Sequence, residues 1–307
     1  MDTTAVPAQP ETDPVLPDVP VVDLEAAAEE EPLAVKVERE IKEGRMSLPV
    51  MPAVALEVRR LISEERGMPE IVSAIEKDPA IAAALVKYAN SVVYAGLKDV
   101  TDLQQAVMRL GLVPVQQAVT ALSARSILDH ASKSHAELYK KIWLHSITTA
   151  MAARRLATRV RVPAETAFLA GLLHDLGKVV VLQSVAKLQG TAPGAMTIDE
   201  ATVLEFVDAL HCTVGDTLFE AWKIPADLRE VLRRHHDDTL NGAADMLVAV
   251  VQMADRLAAK AGASLHPDPD LSLVDGPACA LLRLDDVKLA SLLVELEDDV
   301  EAVKGVF

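Results

Sequence analysis

From Leu48 onward the apolar positions recur at spacings of three and four, in stretches closed by proline, glycine or a short polar residue. That period belongs to amphipathic helices that turn one face to a core. Pro52 opens a periodic stretch reaching Ile62, and Gly67 closes it. Asp78-Pro79 reads as an N-cap with proline at the first helical position, and the helix it starts carries Ile81, Leu85 and Tyr88 on one face. Thr101 and Gln104 have the spacing of a capping box, with Gly111 where that helix should end. Further helices are predicted over Val113–Leu128, from about Leu138 to Val160, and without interruption through "AETAFLAGLLHDLGKVVVL". Another starts at a second capping-box spacing, Thr197 and Glu200, and runs to about Trp222. One more follows Pro225 and ends near "RRHH", and a last long one carries "MLVAVVQMADRLA" after Gly242. "HPDPD" (266–270) breaks the chain ahead of one or two short helices. Period-two alternation is scarce and hairpin turns are lacking, so the predicted class is all-α.

The stretch before Leu48 has another character. Six prolines lie among acids and alanines in residues 1 to 35, and nine acids precede the first base, Lys36. Such a segment buries too little apolar surface to offset its ordering entropy, which predicts a disordered leader. A short polar helix over Val35–Glu43 would join it to the body.

Composition supports the helical reading. Half of the 307 residues are hydrophobic but only 3% are aromatic, so the core rests on Leu, Val, Ile and Ala, of which Leu and Ala lead the helix-propensity ranking. A net charge of −16 repels phosphate backbones, and direct nucleic-acid binding is not expected. Two cysteines, Cys212 and Cys279, offer no disulfide framework and suggest a reducing compartment. The start of the chain lacks the pattern of a signal peptide, and no apolar run reaches the roughly 20 residues of a membrane span. The expected location is the cytoplasm.

Candidate chemistry lies in the histidines. His145 falls mid-helix among Ile142, Leu144, Ile147 and Met151; His174-Asp175 sit inside an apolar run, with Lys178 one turn on. His211 is also mid-helix, His235-His236 are adjacent at a helix end, and Asp255 closes the series. Taken singly, His145 and His211 read as satisfied core histidines and His235-His236 as a solvated helix end. Likewise Asp255 alone reads as an ion-pair partner and Lys178 as a snorkelling lysine. The ordered combination points instead to metal ligation, since imidazole with carboxylate suits Mn, Fe, Ni or Zn. Helices distant in sequence can project such ligands into one interior, and one or two divalent ions there would serve phosphoryl chemistry. In that case Asp175 and Lys178 are the candidate catalytic groups, with Lys178 placed to neutralise a phosphate oxygen. The basic clusters Arg154-Arg155 with Arg159, and Arg233-Arg234, read more simply as solvated faces that balance acids. No glycine-rich phosphate loop and no aromatic stacking platform accompany them.

The order His145, His174-Asp175, Asp255 resembles the HD superfamily of metal-dependent phosphohydrolases, and His211 with His235-His236 resembles its two-metal versions. "LPVMPAVALEVRRLI", "EKDPAIAAALVKYANSVVY" and "LQQAVMRLGL" resemble the HDOD family, the HD-related output domain of bacterial signalling proteins. The resemblance covers roughly residues 46 to 260. It implies a leader over 1–45 and an HDOD domain over 46–265, with an N-terminal helical lobe (46–135) and an HD-like lobe (136–265). A C-terminal helical extension over 266–307 would follow. It also implies a cytoplasmic signalling module that acts on partner proteins, many relatives having lost parts of the metal site. This chain keeps the whole ligand set, which is similar to the hydrolytic relatives. It departs from the HD-GYP cyclic-dinucleotide phosphodiesterases in lacking Gly-Tyr-Pro after His236 and in placing Lys141 where some of them carry glutamate. The expected function is therefore a regulatory module. The alternatives are a metal-dependent phosphohydrolase acting on a nucleotide or another phosphorylated small molecule, or a module in which metal or nucleotide is sensed or structural.

Overall fold

Pro52, Asp78 and Gly111 each set a helix boundary as their chemistry requires. A computed structural model of the protein describes residues 39, 43, 48–91, 94, 96, 98–129, 135–189 and 198–303. Most of the expected leader, the helix expected over Val35–Glu43 and Thr197 thus lie outside the described residues. The first five helices are α1 (Ala53–Ser63), α2 (Met68–Glu76), α3 (Pro79–Ala89), α4 (Leu103–Leu110) and α5 (Leu112–Asp129). Asp78 caps α3 by accepting from the amides of Ala80 and Ile81, and Ile81, Leu85 and Tyr88 are buried together. Gly111, at φ +81°, turns the chain between α4 and α5 in a conformation that favours glycine. Helix α2 has no counterpart in the sequence reading, although Pro69 in its first turn is the same kind of start signal as Pro79. The expected capping pairs are each displaced toward an aspartate. Asp102 accepts from the Gln105 amide at the start of α4, and Asp199 accepts from the Thr202 amide at the next such position. An aspartate one or two residues further along supplies the cap in both cases.

Six helices follow: α6 (Ala136–Val160), α7 (Ala164–Leu173), α8 (Leu176–Gln189), α9 (Glu200–Ala221), α10 (Ala226–Arg234) and α11 (Met246–Lys260). Among the described residues there is no strand. The start of the described body is tied to the end of α9. Arg59 of α1 donates to the carbonyls of Trp222 (2.8 Å) and Lys223 (3.1 Å), and the Trp222 indole donates to Pro49 O at 2.8 Å. Carbonyls that a helix end leaves open are thereby filled from α1.

The helix expected to run unbroken through "AETAFLAGLLHDLGKVVVL" is two. It stops at Leu173, turns at His174-Asp175 and restarts at Leu176. The cause is packing on both sides of the turn. Gly171 brings α7 against α6 so closely that a Cβ there would lie 2.9 Å from Thr149 O. Gly177 brings α8 against α9, where a Cβ would run into the His211 carbonyl and stand 2.9 Å from the Gly215 nitrogen. Two backbone-to-backbone crossings thus hold the turn between α6 and α9. The span Ala164–Lys187 is long and apolar enough to cross a membrane, which corrects the expectation of no such run. Yet 94% of its most apolar stretch is buried inside the protein, the condition of a core helix.

Beyond the "HPDPD" break come α12 (Pro277–Leu282) and α13 (Asp286–Val303), the latter longer than expected. Helix α12 packs on α11 and α13 on α6. Glu295 of α13 receives Arg155 at 2.6 Å and Arg159 at 3.0 Å. Arg154 pairs with Glu165, and Arg233 and Arg234 pair with Asp216, Glu230, Asp237 and Asp245. Both basic clusters therefore balance acids of the fold.

Candidate metal centre

Four buried histidines reach one interior from α6, the α7–α8 turn, α9 and the end of α10, and each is oriented in the same way. His145 of α6 has Nδ1 at 2.8 Å from Ala263 O, and His174 of the turn has Nδ1 at 2.8 Å from Gly171 O. His211 of α9 has Nδ1 at 2.9 Å from Asp208 O, and His235, just past α10, has Nδ1 at 2.9 Å from Leu232 O. A carbonyl only accepts, so each Nδ1 carries a proton and each Nε2 is left facing the centre, where its lone pair serves an ion whenever that nitrogen is unprotonated. This is how proteins fix a metal-ligating imidazole.

The Nε2 atoms face Asp175. Its Oδ2 lies 3.2 Å from His145 Nε2 and 3.4 Å from His174 Nε2, while its Oδ1 lies 3.5 Å from His211 Nε2 and 3.6 Å from His235 Nε2. Asp255 of α11 puts Oδ1 3.1 Å from His145 Nε2 and 3.9 Å from His174 Nε2. His236 has its Nε2 3.2 Å from His211 Nε2. Lys178 sets its ammonium 2.7 Å from Asp175 Oδ2. The structure thus brings together all of the sequence-predicted site residues. Both adjacent histidines join because α10 ends at Arg234 and the pair occupies the turn after it, where the divergence of neighbouring helical side chains no longer applies.

Asp175 Oδ1 and Oδ2 and His235 Nε2 are buried with no hydrogen bond, although Lys178 pairs with the carboxylate by charge. Lone pairs facing lone pairs in a protein interior are costly unless a cation lies between them. With metal–ligand bonds of about 2.0–2.2 Å, ligands on one ion sit roughly 3–3.5 Å apart, close to the separations found. The donors fall into two groups, each within 4.8 Å: His145, His174 and Asp175, and His211, Cys212, His235 and His236. The residues fit a two-ion centre, with Asp175 offering one oxygen to each side. Cys212 escaped the sequence reading, which took it only as a sign of compartment; its position directly after His211 was the available signal.

Residues 48–238 match the HDOD domain family, well over half of the chain. The chain belongs to the HDOD family. An uncharacterised protein of Treponema pallidum (strain Nichols) is 27% identical over 197 residues, which cover 62% of this HDOD chain and 38% of that relative's length. A candidate metal-dependent phosphohydrolase from Shewanella amazonensis SB2B superposes with a TM-score of 0.72 at 21% identity, covering 89% of this chain and 97% of that one. A candidate signal transduction protein from Marinobacter aquaeolei VT8 gives 0.61 at 21% identity, covering 89% and 65%. At these identities the likeness to the solved structures is one of fold.

In this HDOD protein the electrostatics of the cluster are tightly linked. Burial disfavours protonation of His145, but the Asp175 and Asp255 carboxylates beside it outweigh that and raise it to about 9. Burial lowers His174 to about 3 and His236 to about 4, and it lowers His211 as well. Against its burial, the neighbouring imidazole of His174 and the Lys178 ammonium hold Asp175 well below the usual carboxylate range. Without metal, two carboxylates are therefore balanced by Lys178 and a protonated His145. An ion bound at His145 must displace that proton. Apparent affinity for Mn2+ on the His145 side is expected to rise about tenfold per pH unit from about 7 toward 9, then flatten. Chelator competition at several pH values checks this, and affinity that does not change over that range would refute the protonated His145.

The centre opens through His236, which is exposed, and Asp255, whose side chain is 22% exposed. Outside lies a cavity of about 230 Å3 whose lining includes Asp237, Asp238, Asp275 and Arg256. Gly276 to Cys279, from the start of α12, form part of its wall.

Proposed function

We propose that this HDOD protein is a signalling module that acts through partner proteins and holds metal as a built part of its fold. The observation that carries the reading is the character of the entrance. Four aspartates line the way in against one arginine, and residues 275–279 of the C-terminal segment wall it. An anionic phosphate ester approaching that mouth meets like charge. The arginine clusters that could have clamped it are paired with acids elsewhere.

The completeness of the ligand set favours a second reading, a metal-dependent phosphohydrolase. Divalent ions held there would supply Lewis-acid polarisation of a phosphoryl group. Asp175 would hold the ligand histidines in register, and Lys178 would offer a cation beside the reacting group. The test is turnover. Protein loaded with Mn2+, Fe2+ or Zn2+ and offered bis(4-nitrophenyl) phosphate and a panel of nucleotides is expected to release no product above metal alone. Metal-dependent hydrolysis that disappears in Asp175→Asn would overturn the module reading in favour of the enzyme.

A further inference from the structure

We propose that Cys212 is a metal ligand, and that the side of the centre formed by His211, Cys212, His235 and His236 is a closed thiolate-imidazole site for a soft ion of the zinc class. The inference rests on the reading of the cluster as a metal centre and assigns that centre a donor and an ion class. Cys212 Sγ lies 3.3 Å from His211 Nε2, and His236 Nε2 lies 3.2 Å from the same nitrogen. His235 Nε2, on a side chain with no exposed surface, has no hydrogen bond and belongs to the same group of four donors within 4.8 Å. Although His211 and Cys212 are consecutive on α9, their donor atoms meet within 3.3 Å, and the half-buried Cys212 falls inside the same donor group.

Three imidazoles and a thiolate make a donor set matched to Zn2+, and four protein ligands already make up the usual complement of a structural zinc site. The Asp175 carboxylate faces the same group as a further donor. An ion on this side therefore has no position free for a reacting water, the condition of a structural site. The opposite side, built from His145, His174, Asp175 and Asp255, has no sulfur and two carboxylates, and suits harder ions such as Mn2+ or Fe2+. The two sides thus differ in the ion they select, and the sulfur-bearing side holds its ion for structure.

Full-length protein loaded with Co2+ reads the sulfur directly. The wild type is expected to show a thiolate-to-cobalt charge-transfer band in the near ultraviolet, retained in Cys279→Ser and lost in Cys212→Ser. A measurement on the unaltered chain stands beside the variants: Zn2+ should slow alkylation of Cys212 by iodoacetamide, read by peptide mass, and Mg2+ should not. Bound cobalt with no thiolate band, a band that survives Cys212→Ser, or alkylation indifferent to Zn2+ would each overturn the ligand role while leaving the centre intact. Failure to bind cobalt at all would instead overturn the metal reading, and this inference with it.

Discussion

Gly177→Ala is expected to destabilise the protein by more than about 4 kcal/mol and to abolish metal uptake on both sides of the centre. Ordinary overpacking costs roughly 1–3 kcal/mol because side chains rotate away. At Gly177 the obstacle is backbone, the His211 carbonyl and the Gly215 nitrogen. Neither can rotate aside, so α8 and α9 must separate. His174-Asp175 form the turn directly before α8 and His211 rides on α9, so separation pulls the ligand sets apart. Gly215→Ala is the control one turn along α9, where the added Cβ faces α10 instead of α8. Its added Cβ would meet Leu232 Cδ1 at 2.7 Å, a flexible side-chain end that can yield, and the expected cost is about 1–2 kcal/mol with metal retained. Urea denaturation followed by circular dichroism, with zinc content of the folded fraction, separates the two. A Gly177→Ala protein within about 1 kcal/mol of the wild type would show that the crossing is looser than the structure has it.

The same crossing shows where sequence reading succeeded and where it stopped. The ligand residues could be found because metal chemistry draws on a short alphabet. His145, His174, Asp175, His211 and Asp255 stand out in otherwise apolar helical stretches, whereas His235 and His236 at a charged helix end gain meaning only from that company. Their convergence is a tertiary fact, and the separations that make Asp175 the shared member depend on two helix crossings. The break at His174-Asp175 was hidden because both flanks are apolar and the local pattern is continuous. Only Gly171 and Gly177, placed around the pair, marked it, and a glycine inside a helical pattern has several meanings. Cys212 was passed over because a half-buried cysteine usually packs as a small hydrophobe. Helix ends were recovered where the cap was an aspartate followed by proline, as at Asp78. They slipped by a residue or two where threonine and aspartate competed for the role, as at Thr101 and Asp102.

Asp175→Asn is expected to remove both ions, whereas Asp255→Asn should remove only the one held with His145 and His174. The difference follows from position. Asp175 presents Oδ2 to one group of nitrogens and Oδ1 to the other, while Asp255 Oδ1 lies near His145 and His174. An amide keeps the shape of Asp175 but has lost the charge, and one of its two ends carries N–H groups that would point at imidazole lone pairs or an ion. In the metal-free protein the substitution also strips Lys178 of its carboxylate, and breaking a buried pair on one side costs about 3–5 kcal/mol. His145 offsets part of that, because losing one of its two acidic partners lets it release its proton. Linkage supplies the sharper measurement. Zinc at one hundred times its dissociation constant stabilises the wild type by about 2.7 kcal/mol for each site filled. That increment should vanish in Asp175→Asn and persist for the sulfur-bearing side in Asp255→Asn. An Asp175→Asn protein that still takes up two ions, or still gains the full zinc increment, would mean that the two ligand groups close on their ions without a shared carboxylate. Asp175 would then be a partner of Lys178 that happens to stand between them.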